Sequence, residues 1–219
     1  MSIKSLHPLI LVTLLIFCVP AHPFSLMLDP AGDAKNTGRI LNDNFERGIT
    51  LQFTEQLKKI LEATFPSLRI ILTRFPGESL EHLQNANFAN RLNVDLYISI
   101  HLFQETDTKP QLYIYSVSYN DTFITKTYDV CFYPYDQAHR INSKKTQELV
   151  NILNTSLSDK KYTRLYDIKG TFGIPFKPLI GVKAPAIAIE MSIKKSTDWH
   201  YYVQPIASSI AKMIESYDA

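Results

Sequence analysis

With 219 residues, 45% of them hydrophobic, the chain holds enough apolar material for one sizeable core and too little length for two comfortable domains. The formal charge of +2 comes from Lys and Arg residues spread along the chain. No basic stripe forms, which excludes nucleic acid as the expected partner.

The first residues, MSIKSLHPLILVTLLIFCVPAHPF, place one Lys before an apolar run from Leu9 to Val19 and a small-residue cleavage pattern at Val19-Pro20-Ala21. This run is too short to span a bilayer comfortably and reads as a secretory signal. Residues 1–21 are therefore expected to be removed, leaving residues 22–219 as one secreted domain with no stable membrane anchor. Cys18 invites a lipoprotein reading, but Phe17 stands where such a signal takes a small residue. Without the signal Cys131 is alone, so no intrachain disulfide is expected. Asn120 to Thr122 is an N-x-T triplet that matters only in a eukaryotic secretory pathway.

The mature chain opens with a strand, FSLML, that breaks at Asp29-Pro30 into a small-residue loop. GITLQFTEQLKKILEAT then carries Ile49, Phe53, Leu57 and Ile60 at helical spacing. Leu68 to Arg74 is a compact β-branched strand. SLEHLQNANFANRL reads as a helix that Ser79 caps, and Asn93 to Phe103 is an almost continuous apolar strand. QLYIYSVSY alternates like a half-exposed strand, AHRINSKKTQELVNILNTSL reads as a long amphipathic helix, Ala184 to Ile193 as another apolar strand, and VQPIASSIAKMIESY as a closing helix. This alternation predicts an α/β fold: a mostly parallel central sheet of about six strands with helices on both faces. No internal repeat or low-complexity segment interrupts it.

Three ionisable residues lie in or beside apolar elements, where a charge is costly unless paired or bound. His101 ends a central strand, and an ordinary core histidine bonded to a carbonyl explains it equally well. Glu46 stands in the first helical turn, where the helix dipole favours a carboxylate. Glu190 lies inside the apolar run AIAIEMSI, and burial of a lone carboxyl there suits a general acid or base. No Gly-x-Ser-x-Gly elbow appears, and Cys131 has no evident His partner in sequence, so a serine or thiol nucleophile gains no support.

The segments LDPAGDAKNTG, ERGITL, LTR, ANR, DLYISIH and APAIAIE occur in that order, and in this respect the chain resembles the zinc-dependent N-acetylmuramoyl-L-alanine amidases of the amidase type 3 family. The resemblance covers the chain from Phe24 to the terminal helix. It implies one zinc per chain, held by a loop His, Glu46 and His101, with Glu190 as acid/base on a metal-activated water. It also implies peptidoglycan as substrate, and secretion to the periplasm or cell envelope.

The family's D-P-G-H-G-G falls on Asp29 to Ala34, and the His position holds Gly32. Asp33, one residue on, is the candidate substitute ligand, because zinc also accepts carboxylate oxygen. A third ligand bearing charge would make the ion a weaker Lewis acid. The other reading is an inactive homologue that binds peptidoglycan or regulates a wall hydrolase. Thr171 to Pro185, with its aromatics and Lys177 and Lys183, is a candidate substrate-side wall, though a surface loop with an edge strand and a solvated face accounts for it equally.

Overall fold

The computed structural model describes residues 23–80, 83–106, 109–118 and 133–217. The expected signal segment with Cys18, the N-x-T triplet and Cys131 lie outside the described residues.

Strands β1 (Ser25–Pro30), β4 (Arg69–Leu72), β5 (Leu96–Gln104), β6 (Gln111–Ser116), β7 (Asp167–Gly173) and β8 (Ala186–Ile193) form one sheet in the order β4-β1-β5-β8-β6-β7. The pairs of β1 with β4, β1 with β5, β5 with β8 and β6 with β7 are parallel, and β6 alone runs antiparallel to β8. Two further strands, β2 (Ile40–Leu41) and β3 (Asn44–Phe45), make a small hairpin. The helices are α1 (Glu46–Thr64), α2 (Gln84–Leu92), α3 (Ser143–Leu157) and α4 (His200–Glu215). The mostly parallel six-stranded sheet expected from the alternation is the observed one.

The pleat divides each central strand between two unequal layers. Leu26, Leu28, Ile98, Ile100, Leu102, Ile187, Ile189 and Met191 join the apolar stripes of α1, α3 and α4 in the main core. Met27, Tyr97, Ala186 and Ala188 face the other way, onto Ala86 and Ala89 of α2 and onto Leu179 and Val182. Continuing the alternation to the carboxyl ends of the strands puts Asp29, Ser99, His101 and Glu190 on this second, thinner face. The pattern AIAIE is therefore two patterns, with Ile toward three helices and Ala, Ala, Glu toward α2 and the crevice beyond it.

Two expected helix starts differ. Ser79 is not the N-cap of α2: the helix begins at Gln84, its N-cap is Leu83 in the left-handed region, and the Leu80 N–H goes to the Asp33 carboxylate at 3.4 Å. The long helix expected from Ala138 splits into a 3₁₀ turn, Tyr135–Arg140, and α3 from Ser143.

Phe53 is fully buried on α1, with its ring edge-on to Trp199 at 5.9 Å. Phe53→Ala is expected to lower the unfolding free energy by about 3–5 kcal/mol, the usual cost of emptying a core aromatic site. Urea denaturation measures this, and a loss under about 1 kcal/mol would contradict the packing described.

Candidate active site

Two carboxylates, one at the end of β1 and one at the tip of the loop that follows, organise this edge of the sheet. Asp29 is buried, and its Oδ1 accepts the Thr73 hydroxyl and the Asn85 amide, each at 2.7 Å. Its Oδ2 accepts the Ser99 hydroxyl at 2.8 Å. Asp33 closes the loop tip: Oδ1 accepts the N–H groups of Lys35 (2.7 Å) and Asn36 (2.6 Å), and Oδ2 accepts the Asn36 amide (3.2 Å). Burial pushes the Asp33 carboxyl up, but the backbone and side chain of Asn36, with the N–H groups of Lys35 and Leu80, outweigh it and hold the carboxyl below its ordinary value.

Asp33, the candidate substitute ligand, is a loop-closing group in this structure. Its oxygens serve N–H groups of its own loop and the α2 approach, and they do not join Glu46 and His101. Gly32 is no place for a ligand either. Its φ is +75°, and a Cβ there would lie 2.9 Å from the Arg47 Cβ and 3.1 Å from the Asn36 carbonyl oxygen. A histidine at this position would strike the start of α1.

Glu46 opens α1 without any side-chain cap before it. Carbonyls just upstream satisfy the first helical N–H groups instead. The Arg39 carbonyl accepts the Glu46 N–H at 2.8 Å, and the Thr37 carbonyl accepts the Arg47 N–H at 3.2 Å. The Glu46 carboxylate in turn accepts the Arg39 N–H on Oε2 (3.0 Å) and the Leu102 N–H on Oε1 (2.9 Å). Burial would raise its pKa, but the His101 ring and these two N–H groups prevail and hold it below its ordinary 4.5. The close approach requires Gly38, whose φ is +74° and whose Cβ, were there one, would lie 2.8 Å from Glu46 Oε2.

The His101 ring is held on both sides. Nδ1 lies 3.6 Å from Glu46 Oε1, and Nε2 lies 2.9 Å from Ser99 Oγ. Ser99 has one proton, and the Asp29 carboxylate is the stronger acceptor for it. Nε2–H therefore donates to Ser99, which directs Nδ1 at Glu46. An imidazole nitrogen and a carboxylate oxygen converging in this way suit a shared cation. A catalytic zinc takes three protein ligands, however, and among the described residues no group of three His, Cys, Asp or Glu side chains is placed to hold a metal. The residues present do not fit the three-ligand zinc centre that the resemblance implies.

Parallel register sets Glu190 of β8 directly beside His101 of β5, and antiparallel register sets Tyr113 of β6 on its other side. Glu190 Oε2 accepts the Tyr115 hydroxyl at 2.8 Å. Burial and then the Glu190 carboxylate push the Tyr115 phenol well up, so it remains a donor. Glu190 Oε1 is buried with no aligned hydrogen-bond donor among the described residues, yet Nη1 of Arg39 lies 2.6 Å from it. The same Nη1 is 4.0 Å from Glu46 Oε1 and donates to the Leu102 carbonyl at 3.0 Å. A guanidinium therefore bridges the two carboxylates that the sequence singled out.

A cavity of about 520 Å³ borders His101, lined by the Asp29–Asn36 loop, the start of α2, Lys177, Pro178 and Ile180. Phe176 sets its ring edge against His101 (4.9 Å) and stacks on Tyr115 (5.0 Å). Of the segment Thr171 to Pro185, Lys177, Pro178 and Ile180 line this cavity, whereas Lys183 faces a different hollow beside Asn142 and Tyr217. Sequence reasoning singled out Glu46, His101 and Glu190, which the structure brings together, and named Phe176 only as one of the aromatics of Thr171 to Pro185. It passed over Arg39, Ser99 and Tyr115, for which the only local signals were a single Arg after Thr37-Gly38, a Ser two residues before His101 and aromatics on alternating positions of β6.

Residues 26–216 match the family described as N-acetylmuramoyl-L-alanine amidase. A curated relative, the N-acetylmuramoyl-L-alanine amidase CwlM of Bacillus licheniformis, is 28% identical over 90 residues, which is 41% of this chain and 36% of that protein. The match therefore spans little more than a third of the relative's length. The catalytic domain of the amidase CwlV from Bacillus (Paenibacillus) polymyxa var. colistinus superposes with a TM-score of 0.64 at 18% identity, covering 89% of this chain and 97% of that one. The amidase AmiC2 of Nostoc punctiforme gives 0.60 at 18% identity, covering 88% and 98%. At such identity these structures speak for the fold.

The carboxylates and their glycine can be probed separately. Because the folded-state pKa values of Glu46 and Asp33 are depressed, the stability they contribute is present above their unfolded values of 4.5 and 3.8 and is lost as pH falls through the folded ones. Unfolding free energy should thus decline as pH drops below about 4.5, and Glu46→Gln should flatten that slope. Gly38→Ala should destabilise by about 1–3 kcal/mol through strain and displacement of Glu46, read by thermal denaturation. Wild-type stability through Gly38→Ala would refute the close approach.

Proposed function

Since the chain belongs to the amidase type 3 family of N-acetylmuramoyl-L-alanine amidases, we propose that it hydrolyses the amide between the lactyl group of N-acetylmuramic acid and the L-alanine of the stem peptide in peptidoglycan. The observation that carries this reading is the convergence of Glu46, His101 and Glu190, three residues from distant motifs, at one crevice on the carboxyl edge of the sheet. Open α/β sheets take their ligands at that edge.

Glu190 is the group for proton transfer. Its Oε1 is buried 2.6 Å from Arg39 Nη1 without an aligned hydrogen bond, while Tyr115 fixes the other oxygen. From there it takes a proton from the attacking water and returns it to the departing amine. His101 and Glu46, locked by Ser99 and by the Leu102 and Arg39 N–H groups, form the polar floor, and Phe176 shields the ring from solvent on one side. Lys177, on the rim of the cavity, suits the carboxylates of a stem peptide.

Peptidoglycan lies outside the cytoplasmic membrane, so the reading carries export to the cell envelope with it. The apolar run Leu9 to Val19 supports this, and the mature protein is expected to start near His22. Intact mass of the exported chain tests it, and retention of residues 1–21 or an acyl mass on Cys18 refutes it.

Glu190→Gln keeps the shape and cannot accept the proton. Release of stem peptides from purified sacculi should fall about 100-fold or more, while sacculus binding persists. A parent chain that binds sacculi and releases nothing identifies a binding homologue instead.

A further inference from the structure

We propose that Arg39 is the resident cation of this crevice, standing in place of a metal ion: it closes the Glu46–His101 pair to divalent metal and offers its outer edge to the carbonyl oxygen of the amide. The inference deepens the amidase reading and rests on it for its catalytic half.

Four observations carry it. First, the ligand set is incomplete by construction, because Gly32 has no room for a side chain and Asp33 commits its oxygens to the loop. Second, Arg39 is built in. Its N–H and carbonyl are both bonded to Glu46, and its Nη1 is anchored on the Leu102 carbonyl. Third, a cation already stands between the two carboxylates. Nη1 is 2.6 Å from Glu190 Oε1 and 4.0 Å from Glu46 Oε1. An ion on Glu46 Oε1 at the usual distance of about 2 Å would lie within about 6 Å of the guanidinium and be repelled by it. Fourth, Nε and Nη2 of Arg39 make no hydrogen bond among the described residues, and the side chain is half exposed. That edge is free for a ligand, and a guanidinium is suited to an oxygen that gains negative charge.

The step balances without an added reagent. Water oxygen bonds to the carbonyl carbon as Glu190 takes the water proton, and the carbonyl π pair moves onto oxygen, where the Arg39 N–H groups hold it. The C–N bond then breaks, the oxygen pair re-forms the carbonyl, and Glu190 returns the proton to the nitrogen. The products are the lactyl carboxylic acid and the free amine of the peptide. Arg39 neither gains nor loses a proton.

Zinc titration calorimetry on the full mature chain, alongside sacculus digestion with and without a metal chelator, tests this. The parent should take up no stoichiometric zinc. Arg39→Ala and the length-preserving Arg39→Gln should both bind zinc at least about tenfold more tightly, and His101→Ala added to either should abolish the gain. Stem-peptide release by the parent should survive the chelator, and it should drop about 100-fold in Arg39→Gln, with partial rescue by added guanidinium ion. Stoichiometric zinc binding by the parent, unchanged in both Arg39 variants, overturns the inference while leaving the amidase reading intact. The expected zinc pattern in a parent that releases no stem peptide does the reverse: Arg39 stands as the site's cation and the amidase reading falls.

Discussion

The organisation of this crevice depends on satisfying one buried carboxylate. Glu46 sits at the first turn of α1, out of water, and a charge there is tolerable only with donors on every lone pair that solvent no longer reaches. Its donors are the Arg39 N–H upstream and the Leu102 N–H at the end of β5, and the His101 ring stands 3.6 Å from Oε1. Each partner fixes something else. The Arg39 bond requires the left-handed Gly38 and aims a guanidinium inward, the Leu102 bond ties the helix to the sheet edge, and the ring contact turns Nδ1 toward the crevice.

A second carboxylate does the same from the other side. Asp29 gathers Thr73, Asn85 and Ser99, so that β1, the segment after β4, α2 and β5 share one acceptor. Ser99 passes the constraint to His101. The imidazole is therefore held between two carboxylates through one hydroxyl and one direct contact, and its orientation is decided before any ligand arrives. Such preorganisation is what a polar site in a low-dielectric crevice requires, since donors already in place need no rearrangement during reaction.

Charge explains how the crevice holds together with Gly32 in the loop after β1. Two acidic side chains facing each other at the sheet edge need a positive partner. Where the donor set for a metal is incomplete, a guanidinium on a well-anchored backbone supplies that charge. It contributes a single charge where zinc contributes two, but it brings planar, directional N–H groups suited to a carbonyl oxygen.

What the sequence determined by itself was the class of the fold and the three polar residues that break its apolar pattern. Strand and helix periodicity follow from local geometry, and a Glu inside AIAIE is conspicuous because burial penalises it wherever the strand goes. The motif order also placed the chain among the amidases before any coordinates. Tertiary structure alone decided what the loop residues do. Asp33 looked like a ligand because it is one residue from the motif position, yet its reach is fixed by the turn it closes. Gly32 stands at the position where the family motif has His, and its φ and the neighbouring Arg47 leave no room there for a side chain. Nothing in a linear pattern says that the Arg39 guanidinium meets Glu190, 151 positions further along the chain (190 − 39), at 2.6 Å. Hydrogen-bond partners are set by which elements the sheet order brings together, and that order is a property of the packed core, not of any local stretch.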